Sequence, residues 1–220
     1  TDDSVANGRI TGATVSWSRD RRFESAAAAA VDPTGREIAV LGRRELASTQ
    51  PLRIQIGAVR GGPVRSVVVA ALHANGPPVW VAGGHVVLRA LTDAGGDRFV
   101  VVDPKTGHSE LVRLDAIDLF ASGDGGTVGI VDDDGIRVVA AGDVESGAPG
   151  TRLRLGASAD GLHVATAALD AQGQRIAFVL EDDDQRPIAI RVAAASSGWA
   201  AMQQIAVPRG ARLVRLAWSG

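Results

Sequence analysis

The chain has 220 residues, 45% of them hydrophobic and 22% charged, with a formal net charge of −2; that is enough chain for a large core, and it has no overall attraction to DNA, RNA or an anionic membrane. Cysteine is absent, which excludes disulfides, thiolate zinc sites and a cysteine nucleophile within it. No apolar run is long enough to span a bilayer, and the acidic start Thr1-Asp2-Asp3 is not a secretory signal, so no membrane segment is predicted.

Residues 1–9 are polar and are expected to form a flexible N-terminal segment. Ile10 to Trp17 predicts a strand, and Ser18-Arg19-Asp20-Arg21-Arg22 a solvated loop. Five consecutive alanines, Ala26 to Ala30, favour helix by propensity. They lead, however, into Asp32-Pro33-Thr34-Gly35 and the return strand Arg36 to Leu41. In that turn Asp bonds to its own backbone and Gly takes a positive φ. The alanine run is therefore predicted as a strand whose small side chains suit the innermost, crowded position of a blade.

Pro51 to Val59 alternates apolar and polar residues, the period of a half-exposed strand. Val64 to Leu72 follows, and then Asn75-Gly76, a two-residue hairpin signal. Val79 to Ala82 and Val86 to Leu91 are short strands split by Gly83-Gly84. Arg98 to Asp103 and His108 to Leu114 flank the turn Asp103-Pro104-Lys105-Thr106-Gly107. A third set comprises 117–121, 127–131, 136–141 and 152–155, and a fourth 162–169, 174–180, 187–192 and 202–207. Arg212 to Trp218 predicts one more strand.

The first and fourth sets repeat one another. Asp32 falls on Asp170, Gly35 on Gly173, Ile38 on Ile176 and Ala39 on Ala177, an offset of 138 residues or three times 46. Two thirds of the way along lies Asp124, in Asp124-Gly125-Gly126. A unit of several strands recurring every forty to fifty residues is the period of a propeller blade. The expected fold is all-β: a β-propeller of four-stranded antiparallel blades, four to five blades' worth of strands, forming a single domain over 1–220 as a closed ring or as part of a larger propeller.

No residue stands out as catalytic, cofactor-binding or metal-binding. The triplets Asp132-Asp133-Asp134 and Asp182-Asp183-Asp184 lack the spacing of a calcium loop and occupy the same place in their repeats, as solvated hairpin tips would. His73, His85, His108 and His163 share no short metal-ligand spacing. No nucleophile elbow, phosphate loop or dinucleotide fingerprint is present. Trp17, Trp80, Trp199 and Trp218 suit rim or inter-blade packing better than a ligand platform.

The hairpins Ala27 to Leu41 and Ala165 to Val179 resemble the repeat of TolB/WD40-like propellers, without the Ser-Pro that commonly precedes the Asp. The segment Gly76-Pro77-Pro78-Val79-Trp80-Val81-Ala82 and the closing Leu213 to Trp218 are similar to the C-terminal propeller of actinobacterial LpqB-type lipoproteins. That resemblance implies an extracytoplasmic interaction domain, anchored to the membrane through a segment outside this chain and associated with a sensor kinase. The expected function is a non-catalytic scaffold with a protein partner, no nucleic acid and no cofactor. The alternatives are a small-ligand or glycosidase-like site at a central channel, or the gating propeller of a larger peptidase.

Overall fold

A computed structural model of the chain describes residues 5–11, 14–20, 23, 26–42, 51–69, 71, 73–91, 97–112, 116–144, 146, 148–155, 161–207 and 216. Among these residues there is no α-helix, only strands and two one-turn 3₁₀ helices at Ala141–Asp143 and Ala195–Ser197. The chain divides into two compact units, Thr1–Trp80 with Gly84–Arg113, and Val81–Gly83 with Leu114–Gly220.

The first unit opens on a hairpin of β1 (Val5–Thr11) and β2 (Thr14–Asp20). Residues 5–9 lie in β1, and the residues expected as one strand over 10–17 are divided between the two paired strands β1 and β2. Arg21 and Arg22 lie outside the described residues, as do the side chains of Arg19 and Asp20.

Next comes an antiparallel sheet in chain order: β3 (Ala26–Val31), β4 (Glu37–Gly42), β5 (Arg53–Ala58) and β6 (Val64–Val68). The alanine run is a strand, as the turn after it required. Ala28 and Ala30 pack against a core formed by Leu41, Leu52, Ile54 and Ile56 with Trp80, Leu88 and Val100. The Trp80 indole N–H donates to the Ala30 carbonyl at 2.9 Å. Two methyl-sized side chains leave the space that one indole fills, which is why helix propensity loses here.

The following sheet is where sequence and structure differ. Its strands are β7 (His73–Ala74), β8 (Val79–Val81), β9 (His85–Leu91), β10 (Asp97–Val102) and β11 (Ser109–Val112). Both β7 and β8 pair with β9, so Asn75-Gly76 closes no two-residue hairpin. The Asn75 amide instead donates to Arg89 O at 2.8 Å. Pro77 and Pro78 have no amide hydrogen to give the ladder. The chain therefore loops out over 75–78 and rejoins the same neighbour at Val79. The surplus of short strands expected in this region is one interrupted first strand.

The second unit holds two sheets, each in chain order: β12 (Asp118–Ala121), β13 (Thr127–Asp132), β14 (Gly135–Ala140) and β15 (Thr151–Arg152), then β16 (His163–Leu169), β17 (Arg175–Glu181), β18 (Pro187–Ala194) and β19 (Ala201–Ala206). Their facing sides form one core, with Val131, Ile136 and Leu153 from one sheet meeting Ile176, Phe178, Leu180 and Trp199 from the other. A fully buried side chain of this size contributes about 1.5–3 kcal/mol, so this interface is the main store of stability in the unit. Residues 212–215, 217 and 218, expected to belong to a last strand, lie outside the described residues.

Each four-stranded sheet is a meander that buries one face on a neighbouring sheet. This is the blade expected from the repeat.

Candidate functional site

The blades have two chemically different ends. At one end lie the turns from the first strand to the second. Asp32 accepts from the amides of Thr34, Arg36 and Glu37 at 3.2, 2.6 and 2.7 Å, and from the Thr34 hydroxyl. Asp170 accepts from the Gln174 amide at 2.7 Å and from Arg175 Nε at 3.0 Å. Burial alone would push both carboxyls up, but these bonds outweigh it and hold each below the ordinary aspartate value.

The third such turn corrects an expectation. The amide of Asp32 donates to Glu37 O, that of Asp170 to Arg175 O, and that of Ser122 to Thr127 O. Ser122, and not Asp124, therefore stands where Asp32 and Asp170 stand. Its hydroxyl takes over the carboxylate's role, accepting from the Thr127 amide at 3.0 Å and donating to Asp124 Oδ1 at 2.5 Å. Gly35, Gly125 and Gly173 fall at the same step with φ of 69°, 69° and 67°, a left-handed conformation that glycine adopts without penalty.

In the second unit these turns are also tied to one another. The amides of Gly123 and Asp124 donate to Asp170 O and Ala171 O at 3.4 and 2.8 Å, and the Ala82 amide donates to Gly125 O at 2.7 Å. A Cβ on Gly173 would come within 2.3 Å of Thr127 Oγ1. This end is closed by backbone contacts.

The opposite end of the second unit carries a cavity of about 530 Å³, between the β13–β14 turn and the start of β16. Its apolar wall is the rim of the inter-blade core, including Val131, Leu153, Leu155, Leu162 and Val164. Its polar edge is Asp132, Asp133, Asp134 and His163. Asp132 is nearly enclosed and accepts from Arg137 Nε at 2.9 Å and from both Arg152 amino nitrogens at 2.9 and 3.2 Å. Arg152 reaches Asp134 at 3.4 Å. Asp133 is exposed and makes no ion pair among the described residues. His163 Nε2 lies 3.0 Å from Asp183 Oδ1 of its own blade.

Both Asp triplets follow the second strand of their blade, in equivalent hairpins. The first Asp of each caps its own turn: Asp132 Oδ1 accepts from the Asp134 amide at 3.0 Å, and Asp182 Oδ1 from the amides of Asp184 and Arg186 at 3.1 and 2.9 Å. Only the first triplet lines the cavity. In the second, Asp182 and Asp184 pair with Arg186.

Among the described residues no other histidine lines this cavity. His85 begins β9, His108 precedes β11, and the side chain of His73 lies outside the described residues. Among the described residues no three His, Asp or Glu side chains converge as a metal site. Trp80 and Trp199 are packing residues, 4% and 8% exposed. Trp218 and the side chain of Trp17 lie outside the described residues. Sequence reasoning missed Arg137 and Arg152. They sit opposite one another in the β14–β15 register, and only that cross-strand pairing aims both at Asp132.

No family model and no curated protein matches the chain. Solved structures do. TolB from Acinetobacter baumannii superposes with a TM-score of 0.61 at 18% identity, covering 85% of this chain and 45% of that one. The periplasmic gluconolactonase PpgL of Pseudomonas aeruginosa gives 0.58 at 14%, covering 93% and 65%. The β-propeller domain of Cps50 (Swd1) from Myceliophteria thermophila gives 0.54 at 8%, covering 94% and 59%. The chain spans less than two thirds of the length of each. At such identities the likeness bears on fold alone. Consecutive four-stranded antiparallel meanders with a repeated first turn, superposing on these proteins, make the fold a β-propeller.

Proposed function

We propose that the chain is a non-catalytic propeller scaffold that binds a protein partner outside the cytoplasm. The observation that carries this reading is the division of labour between blade ends in the second unit. At one end side-chain and backbone polar groups are consumed in holding turns, while the other offers a cavity edged by exposed carboxylates. Its likeness to a TolB and to a lactonase whose name is periplasmic supports an extracytoplasmic setting. The resemblance to LpqB-type propellers adds a membrane anchor outside this chain and a sensor kinase as the partner. Formaldehyde cross-linking in intact cells, followed by affinity purification and mass spectrometry, tests it. A membrane kinase enriched reproducibly over a tag-only control is the expected result. Recovery of cytoplasmic proteins only, or of none above control, overturns it.

A second reading, a small-ligand or lactone-processing site, draws on the same cavity, where His163 and the Asp132–Asp134 turn face a common space. Turnover of a sugar lactone that is abolished by His163→Ala would favour it over the scaffold.

A further inference from the structure

The geometry points to the cavity between the second unit's two blades as a receptor for a basic, aliphatic-flanked segment of a protein partner: an arginine or lysine side chain set beside a leucine or isoleucine. The inference rests on the scaffold reading above and gives it a place and a chemistry.

Three features converge on this occupant. The first is size. A volume of about 530 Å³ lies within the roughly 300–1,000 Å³ of ordinary binding clefts, enough for a few side chains and too little for a folded domain. The second is the apolar wall. Leu155, Leu162 and Val164 are only partly buried although they lean on the inter-blade core, so they have apolar surface left to cover. The third is charge. Asp132, Asp133 and Asp134 edge the cavity, and the guanidiniums of Arg137 and Arg152 hold Asp132 and Asp134. Three carboxylates against these two cations leave one negative charge in surplus at the edge.

The two arginines are themselves committed. Arg152 spans Asp132 and Asp134, and Arg137 is bound to Asp132. Asp133 has no such partner among the described residues and stands at the mouth of the cavity. An anion entering here would meet carboxylates first, whereas a cation would gain them at little desolvation cost, because Asp133 and Asp134 are already exposed. The equivalent hairpin of the next blade supplies an internal contrast. Its Asp182 and Asp184 are paired with Arg186 and line no part of this cavity.

The test uses the full chain and two fluorescein-labelled, end-capped pentapeptides, Gly-Leu-Arg-Ile-Gly and Gly-Leu-Glu-Ile-Gly, followed by fluorescence anisotropy. The basic peptide is expected to bind at least tenfold more tightly than the acidic one, and to weaken as salt is raised. Asp133→Asn combined with Asp134→Asn is expected to reduce that affinity at least fivefold, and Asp184→Asn to leave it within twofold. Methyl resonances of Leu155, Leu162 and Val164 should shift on titration. Equal affinity for the two peptides, indifference to the Asp133/Asp134 pair, or unmoved methyl signals overturns the inference. So does argininamide alone binding as tightly as the peptide, which would make this a small-cation site. The substitutions are at exposed turn positions, and circular dichroism confirms folding. A partner captured by cross-linking yet indifferent to Asp133 and Asp134 would sink this inference while leaving the scaffold reading intact. Peptide binding without any captured partner would do the reverse.

Discussion

Asp170→Ala probes the first-strand turn on which the repeat depends. Asp170 is 4% exposed and accepts the Gln174 amide at 2.7 Å and Arg175 Nε at 3.0 Å, and also the Arg175 amide. Hydrogen bonds to a charged group contribute about 1.5–3 kcal/mol each where the donor is removed from water, and an unmet buried donor costs about 1–3 kcal/mol. Arg175 is more than half exposed, so water replaces its carboxylate and that bond counts for little. The two amides then set the loss at about 3 kcal/mol, or roughly 6–12 °C in Tm for a chain of this length. Because these bonds favour the ionised carboxylate, the folded-state pKa is depressed. The stabilisation is complete above the unfolded value of ~3.9 and fades as pH falls through the lower folded value. Urea titrations followed by tryptophan emission, at pH 7 and down to pH 2.5, should show the gap between wild type and variant at full size above about pH 5 and shrinking below it. A variant within about 0.5 kcal/mol of wild type at pH 7 would refute the argument that this carboxylate holds the turn.

Three further substitutions test the packing. Ser122→Ala removes the hydroxyl that serves both Thr127 and Asp124 and is expected to cost about 1–2 kcal/mol in urea titration. Gly129→Ala places a Cβ 2.2 Å from Phe120 Cζ on the paired strand; overpacking of this kind costs about 1–3 kcal/mol, and adding Phe120→Leu should recover at least half of the lost Tm. Trp80→Phe keeps an aromatic side chain but loses both the indole N–H bonded to Ala30 O and part of the buried ring volume, with an expected loss of about 2–3 kcal/mol in differential scanning calorimetry.

What was legible in the sequence was local. Asp32-Pro33-Thr34-Gly35 and Asp170-Ala171-Gln172-Gly173 announce their turns because side chain and backbone satisfy one another within five residues. Equal spacing misled at Asp124. Loops of unequal length displace the third turn, and only the amide-to-carbonyl pattern identifies Ser122 as the equivalent. Asn75-Gly76 misled in another way: a strong hairpin dipeptide was overruled by two prolines just beyond it that cannot join a ladder. The cavity was illegible for a third reason. It needs Arg137 beside Arg152, a pairing set by strand register, and Leu155 near Val164, a contact made by two blades packing together.

The two ends of the blades differ because their strands meet different constraints. In the second unit the first strands β12 and β16 lie side by side, so their turns must be compact. In the second unit these turns abut closely enough that the Asp124 amide reaches Ala171 O at 2.8 Å. A carboxylate there is worth most when it is spent on nearby amides, which leaves it a poor ligand for anything else. The hairpins after the second strands face no such crowding. One Asp still caps each turn, but Asp133 and Asp183 extend beyond it into solvent. A residue type that is structural at one end is thus available at the other. Exchanging roles tests this directly: Asp133→Asn should leave Tm unchanged within about a degree, since exposed positions seldom shift stability by more than ~0.5 kcal/mol, while Asp170→Asn lowers it. If both variants melted alike, the functional weight placed on the open end would be misplaced.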